Sequence, residues 1–196
     1  MKRIVTPSQT VGPYFHIGFR EIPPLASADI PGERIAIRGR LLDGNGAAIP
    51  DGMLETWQAN SRGKYAHPED WQDQQTTAGF TGFGRVITRT DGTFRIETIR
   101  PGAVPWPGTD PARGPGGRQQ APHLVVSVFA RGVLKHLVTR VYFADDPQTA
   151  HDPVLLRIKD AARRATLLAQ PEAGRGGAYR WDVMLQGSGE TVFFDV

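Results

Sequence analysis

Residues 84–102 read GRVITRTDGTFRIETIRPG, and they carry the clearest structural signal in the chain. Two stretches with the composition of β-strands, residues 84–90 and residues 93–99, flank the dipeptide Asp91-Gly92. Asp-Gly accepts the positive φ angles of a tight turn, so this arrangement is a strong signal for a β-hairpin. The stretch therefore predicts two antiparallel strands and makes β-strand the expected main element of the fold.

Further runs with the alternation of half-buried strands lie on both sides of this hairpin. In residues 34–42, Ile35, Ile37 and Leu41 fall on one face. The other runs are residues 53–59, 124–129, 136–143, 179–185 and 191–194. Short strands joined by Asp-Gly and Pro-Gly turns are typical of an antiparallel β-sandwich. We therefore predict an all-β sandwich, with at most one short helix between residues 147 and 164.

The beginning of the chain differs from the rest because it contains several prolines and little periodicity. A stretch of this length without regular structure is uncommon inside a compact domain. We interpret residues 1–33 as an extended arm that packs on the chain's own body or on a partner, and residues 34–196 as one sandwich domain. The Gly/Pro-rich residues 107–120 are predicted to form the longest loop of the sandwich.

The composition excludes several classes of function. The chain has no cysteine, so disulfides, iron–sulfur clusters and thiol nucleophiles are excluded. The net charge is +3, but the 23 Lys and Arg residues are scattered, which argues against nucleic-acid binding. No run approaches the ~20 apolar residues that span a bilayer, and the basic N-terminus lacks the apolar segment of a signal peptide. We therefore expect a cytoplasmic protein without a membrane attachment.

The motif DGTFRIETIRPG at residues 91–102 resembles a hairpin of the intradiol ring-cleavage dioxygenases. Further motifs agree with that family in their order along the chain: LETWQAN at 54–60, GKY at 63–65, GFGR at 82–85, APH at 121–123 and TRVYF at 139–143. Some members of the family are built from two kinds of chain, and this sequence is similar to their iron-free α subunit. That similarity lies in TPSQTVGPY at 6–14, FARG at 129–132 and QGSGETVFFD at 186–195.

The resemblance implies an iron site that this chain does not complete. Iron-binding subunits of the family hold ferric iron through two tyrosines and two histidines, because anionic oxygen donors stabilise the ferric state. Here the region of the first tyrosine offers only Trp71, and the second tyrosine position is Val104. The histidine pair is reduced to His123, which is followed by Leu124 and Val125. We predict that this chain binds no iron and that His123, at a relic ligand position, is a hydrogen-bonded packing residue.

The resemblance also implies a partner. An iron-bearing β subunit would hold ferric iron, protocatechuate and O₂, and this chain would close part of that pocket in a large α/β oligomer. The implied reaction is intradiol cleavage of protocatechuate to 3-carboxy-cis,cis-muconate. The residues carried over from the family to the shared pocket are Thr10, Gly12, Pro13, Tyr14 and Arg131. Arg131 offers a permanent cation for an aromatic acid, and glycine and proline let a backbone approach a ligand closely.

Several alternatives stay open at this point. Tyr14 is equally consistent with a ring buried in the subunit interface, and Arg131, just before Gly132, with a solvated turn residue. For the whole chain, one alternative is a self-sufficient dioxygenase with unorthodox ligands, which would bind iron on its own. The other is a non-catalytic binding module, since β-sandwiches carry many functions.

Overall fold

The structure, a computed structural model, describes residues 6–12, 15–24, 29–106 and 118–195 of the 196-residue chain. The strands are β1 Arg34–Leu42, β2 Met53–Gln58, β3 Phe83–Ile87, β4 Thr93–Ile99, β5 Val104–Pro105, β6 Gln119–Gln120, β7 His123–Phe129, β8 Leu137–Phe143, β9 Leu168–Pro171, β10 Ala178–Arg180 and β11 Val183–Met184. The helical elements are α1 Phe15–Gly18, α2 Ala161–Ala165 and the 3-10 turns Pro147–His151 and Leu155–Arg157. Within the described ranges, no helix is long and apolar enough to cross a membrane.

The strands form two layers that are joined by β9. The first layer has the order β3-β2-β7-β8, and all its pairings are antiparallel. In the second layer, β1 pairs with β4 along one edge and with β10 and β11 along the other. Strand β9 pairs with both β8 and β10, so it passes from one layer to the other. The predicted all-β sandwich is confirmed, although the pairings β1–β10, β1–β11 and β8–β9 are parallel.

The main core fills the space between the layers because the inward side chains of most strands are apolar. Ile37 of β1, Leu54 of β2 and Val126 of β7 are fully buried in it, and each such burial stabilises the fold by roughly 1.5–3 kcal/mol. Gln58 is a polar bridge in this interior. Its Oε1 accepts a hydrogen bond from Thr98 Oγ1 at 2.8 Å, and its Nε2 donates to a backbone oxygen of β4 at 2.9 Å. This side chain therefore ties the two layers together.

The Asp91-Gly92 turn forms as predicted, with Gly92 at a φ of +73°. The N–H of Arg89 donates to the carbonyl oxygen of Thr93 at 2.8 Å and closes the turn. Beyond this point the strands separate, since β3 pairs with β2 while β4 pairs with β1. The predicted hairpin was therefore wrong, because the turn connects the two layers. Strand β4 finds in β1 a partner that pairs along its whole length.

The arm contacts its own sandwich at several places. Thr10 Oγ1 accepts a hydrogen bond from the N–H of Gly132 at 2.8 Å. Ile22 and Arg85 exchange two backbone hydrogen bonds, at 2.9 and 2.7 Å, along the edge of β3. Ile30 is buried in a small apolar cluster at the end of β4. The single helical turn α1 was not predicted and lies within this arm.

The segment 147–165, where a short helix was predicted, contains the two 3-10 turns and α2. Asp160 caps α2 because its side chain accepts hydrogen bonds from the first free N–H groups of the helix. Leu155 of the same segment packs with Tyr142 in a second apolar cluster. Because Tyr142 stands directly opposite His123 in the β7–β8 ladder, this segment covers the end of the sheet at which His123 lies.

Candidate functional site

A cleft of about 820 Å³ lies on the first layer, on the side away from the main core. Trp57 of β2 lines it, the segment 65–72 forms one wall, and Val104 and Gln120 of β5 and β6 form another. We call it the Trp57 cleft. Two positions at which the resemblance implies lost iron ligands, Trp71 and Val104, lie in its lining. Whether this chain can hold iron therefore depends on the metal-coordinating atoms in and beside this cleft.

A buried ion pair holds the wall formed by segment 65–72. Lys64 Nζ lies 3.2 Å from Asp70 Oδ1, and the two side chains are only 6% and 8% exposed. Lys64 Nζ also donates to the backbone oxygen of Gln72 at 2.7 Å, and Asp70 Oδ2 accepts from the N–H of Tyr65 at 2.8 Å. Burial alone would raise the pKa of Asp70, but the backbone hydrogen bonds and the Lys64 ammonium together hold it below its ordinary value. The ion pair thus fixes the shape of this wall.

Gly63 explains how Val104 comes to lie beside that wall. Its φ is +83°, and a Cβ atom at this position would lie 1.9 Å from the backbone oxygen of Ala103. Only glycine permits this backbone-to-backbone approach. Val104, the next residue, pairs with Gln120 across the β5–β6 ladder. Three motifs that are far apart in the sequence therefore meet in the Trp57 cleft.

A guanidinium group lies behind the Gln120 wall. Trp57, Val125 and Arg140 stand in one row across β2, β7 and β8. Arg140 Nη1 donates to Gln120 Oε1 at 2.6 Å and to the hydroxyl of Tyr142 at 3.3 Å. Neither Arg140 nor Gln120 was predicted from the sequence to be a site residue. For Arg140 the available signal was the alternation in β8, which puts it on the face opposite the buried Val141 and Thr139.

His123 is buried beside this row, and its ring centroid lies 5.3 Å from that of Tyr142. Its Nδ1 is 2.7 Å from the backbone oxygen of Ala121. Because a carbonyl oxygen only accepts, Nδ1 carries the proton of a neutral ring. Burial, helped by the positive charge of Arg140, lowers the pKa of His123 to about 4. This geometry fits the interpretation of His123 as a hydrogen-bonded packing residue.

Tyr65 and Tyr142, which lie near the cleft, are neutral phenols rather than phenolates. Burial raises the pKa of Tyr65, and it raises that of Tyr142 further. The Tyr65 ring lies parallel to that of Trp57, with centroids 6.0 Å apart and an interplanar angle of 5°. The Tyr142 hydroxyl donates to Asp152 Oδ1 at 3.3 Å. At neutral pH neither side chain supplies the anionic oxygen that ferric iron prefers.

The positions of the lost ligands, in and beside the Trp57 cleft, do not fit a ferric ion. Val104 is buried in the lining and, like Val125, offers only carbon atoms. His123 turns Nδ1 toward a carbonyl, and the cation Arg140 lies close by. Across the part of the chain that the structure describes, no three His, Asp or Glu side chains form a group that could hold a metal ion. Both the donor set and the local charge disfavour iron here.

Thr10 and Arg131, both carried over as pocket residues, come together at the far end of β7. Thr10 accepts the hydrogen bond from Gly132, the residue next to Arg131. Arg131 Nε lies 2.5 Å from Asp51 Oδ2, and the Arg131 side chain is 53% exposed. The other carboxylate oxygen of Asp51 is buried without a hydrogen-bond partner among the described residues. Sequence reasoning missed Asp51, which holds Arg131 in place.

This second polar group is separate from the Trp57 cleft. His123 begins β7 and Phe129 ends it, and a strand of this length spans about 20 Å. The structure thus brings Thr10 and Arg131 together and keeps both away from His123. Of the remaining carried-over residues, Gly12 is exposed, and Pro13 and Tyr14 lie outside the described residues.

Comparison with known sequences identifies relatives along the whole chain. The family model described as Dioxygenase matches residues 21–187. The protocatechuate 3,4-dioxygenase alpha chain of Pseudomonas putida is 42% identical over 205 residues, which cover 97% of this chain and 96% of the relative. The alpha chain of Burkholderia cepacia is 41% identical, with 97% of each chain covered. The beta chain from Burkholderia cepacia is 36% identical, over 82% of this chain and 67% of the relative.

Solved structures show the same fold. The dioxygenase domain of a dioxygenase–carbohydrate-binding fusion from Streptomyces sp. SirexAA-E has a TM-score of 0.57 at 26% identity, covering 93% of this chain and 99% of that domain. For 3-chlorocatechol 1,2-dioxygenase from Rhodococcus opacus the TM-score is 0.62 at 20% identity, covering 93% and 67%, which supports the fold alone. The family model matches most of this chain, and two alpha chains align along nearly all of it. This protein therefore belongs to the intradiol ring-cleaving dioxygenases, a family of iron-dependent oxidoreductases.

Proposed function

We propose that this chain is the iron-free α subunit of a protocatechuate 3,4-dioxygenase. An iron-bearing β subunit holds the ferric ion, and this chain closes part of the β pocket and stabilises the assembly. The complex cleaves protocatechuate with O₂ to 3-carboxy-cis,cis-muconate. The observation that carries the proposal is the shortage of iron donors around His123 in a chain that aligns over 97% of its length with alpha chains.

The surface of the arm supports an interface role. Ile17, Phe19 and Ile22 are 71%, 43% and 39% exposed, although all three are large apolar side chains. A cluster of exposed apolar side chains is a common mark of a protein–protein contact. We propose that residues 1–33 pack on the β subunit through this surface, while residues 34–196 form the sandwich.

The group at the far end of β7 supports a contribution to the shared pocket. Asp51 Oδ2 lies 2.5 Å from Arg131 Nε, and the Arg131 side chain is 53% exposed, so the guanidinium is both anchored and accessible to a ligand. A guanidinium held in this way is suited to bind a carboxylate through two parallel hydrogen bonds. We propose that Arg131 and Thr10, together with Gly12, Pro13 and Tyr14, approach the carboxylate end of the substrate in the β pocket.

Co-expression with a β-type chain that carries two ligand tyrosines and a His-x-His motif tests the proposal. We expect the two chains to co-purify with one iron per αβ pair and to turn over protocatechuate. Replacing the ligand tyrosines of the β-type chain by phenylalanine should remove all iron from the pair. As the matched control, His123→Asn in this chain should leave the iron count unchanged. Two irons per pair, or iron that persists without the β tyrosines, would contradict the proposal.

The two alternatives predict different outcomes of the same experiment. A self-sufficient dioxygenase would bind iron and cleave a catechol without any partner. A non-catalytic binding module would fail to co-purify with the β-type chain. The alignment with alpha chains along nearly the whole sequence favours the subunit role over both.

A further inference from the structure

The Trp57 cleft has a cation behind one wall and no acid paired with it. The side chain of Arg140 is half-buried, and among the described residues no carboxylate lies within ion-pair distance of it. Its hydrogen-bonding partners there are Gln120 and Tyr142, both reached through Nη1. The nearby Asp152 accepts hydrogen bonds from the backbone N–H groups of Ala121, Val154 and Leu155 and from the Tyr142 hydroxyl. The Arg140 guanidinium also lies 5.9 Å from the centroid of the Phe194 ring. Among the described residues, its Nε and Nη2 therefore have no hydrogen-bond acceptor.

The rest of the cleft suits a flat apolar body. The parallel rings of Trp57 and Tyr65 form one side, and Val104 and Pro105 add aliphatic surface. The Tyr65 hydroxyl has no hydrogen-bond partner among the described residues, and the charge of Arg140 acts on it. A planar ring gains from burial against such walls, and an anion gains from a nearby guanidinium and phenol donor.

We propose that the Trp57 cleft is a second, metal-free binding site for a small aromatic carboxylic acid. The ring of the ligand lies against Trp57, Tyr65 and Val104, and its carboxylate is directed to Arg140 and the Tyr65 hydroxyl. The site makes or breaks no bond in the ligand. It lies within this chain alone, so it does not depend on the proposed role of the chain as a subunit.

The charges around the cleft decide between an anionic and a cationic ligand. Asp70 in the wall is already neutralised by Lys64, and Glu69 lies exposed at the lining. Because burial raises the pKa of Tyr65, its hydroxyl remains a donor at neutral pH. Arg140 and Tyr65 are thus both donors, and the shape of an aryl carboxylate matches them better than that of an amine or a neutral arene.

A fluorine NMR titration of the full-length chain with 4-fluorobenzoate tests this site. The chain is used without a partner, so that no other subunit contributes a binding site and the iron count plays no part. We expect saturable binding of one ligand per chain. Arg140→Gln should weaken it by about tenfold or more, since a charged hydrogen bond is lost, and Tyr65→Phe by a few fold. The matched control Arg180→Gln, an exposed arginine on β10, should bind as the parent chain does.

A second test of the site changes the ligand instead of the protein. 4-Fluorobenzyl alcohol lacks the charge and trifluoroacetate lacks the ring, so both should bind at least about tenfold more weakly than 4-fluorobenzoate. If Arg140→Gln does not fold, Tyr65→Phe and this ligand series test the proposed site in its place. Absence of saturable binding, equal binding of the acid and the alcohol, or full affinity in both folded variants would overturn the proposal.

Discussion

The Nδ1 atom of His123 lies 2.7 Å from the backbone oxygen of Ala121, in a buried site where the pKa of the ring falls to about 4. The unfolded chain binds a proton at this histidine near pH 6.5, whereas the folded chain does not until the pH is near 4. The histidine therefore favours the unfolded state increasingly as the pH falls from 6.5 to 4. This group should cost the fold up to about 3 kcal/mol across that interval.

Urea unfolding at a series of pH values measures this effect. The free energy of unfolding of the parent chain should decrease more steeply below pH 6.5 than that of His123→Asn. Carboxylates contribute to both curves, so the difference between them isolates the histidine. His151→Gln, at an exposed position, serves as the control and should follow the parent chain. Parallel curves for the parent and His123→Asn would show that the ring is not held neutral by burial.

The Lys64–Asp70 pair should be the most sensitive electrostatic feature of the Trp57 cleft. Asp70→Asn leaves the Lys64 ammonium buried without its anion, and we expect a loss of roughly 3–5 kcal/mol of unfolding free energy. Adding Lys64→Met to that variant should recover part of the loss. The exposed pair Lys135–Asp195 gives the control, since Asp195→Asn should change stability by less than about 0.5 kcal/mol. Equal effects of the buried and the exposed substitution would contradict this account of the wall.

The architecture was largely predictable because burial imposes its period on the sequence. The alternation in β1 and β8 indicated the correct faces, and Ile37 and Val141 are fully buried as that pattern requires. The prediction of a hairpin was wrong for a different reason. An Asp-Gly turn specifies a reversal of the chain, but it does not specify whether the flanking strands pair with each other or with longer neighbours in separate layers.

The candidate site was predictable only in part. Single positions such as Val104 and Val125 could be judged from residue type, because carbon cannot replace an oxygen or nitrogen donor. The position of Arg140 behind Gln120 depends on the register of β7 with β8 and on the course of the chain through β6. The ion pair of Arg131 with Asp51 likewise joins residues 80 positions apart. Such contacts follow from the tertiary structure and leave no local pattern.

Arg131 should affect substrate binding more than assembly. Arg131→Ala in the αβ complex removes a guanidinium that we place near the substrate carboxylate, so the KM for protocatechuate should rise by about tenfold. Co-purification with the β-type chain should persist. Arg180→Ala, which removes an exposed arginine of β10, is the control. An unchanged KM in steady-state kinetics would exclude Arg131 from the pocket.

The isolated chain should self-associate. Its arm exposes Ile17, Phe19 and Ile22, and we expect the partner to cover them in an interface above ~2,000 Å². Without the partner these side chains should drive association at micromolar concentration, which sedimentation velocity detects. Ile17→Ser together with Ile22→Ser should shift the distribution toward the monomer. A monodisperse parent chain would argue against an obligate interface on the arm.

Metal analysis of this polypeptide, purified without any companion chain after growth in iron-supplemented medium, is the most direct measurement. Carbon atoms at Val104 and Val125, the neutral phenol of Tyr65 and the carbonyl-bound His123 leave no set of ferric donors in or beside the Trp57 cleft. Among the described residues, no three His, Asp or Glu side chains form a group that could hold a metal ion. We expect a colourless preparation with negligible iron and no turnover of protocatechuate. One tightly bound ferric ion per chain, with cleavage of a catechol, would contradict the central claim.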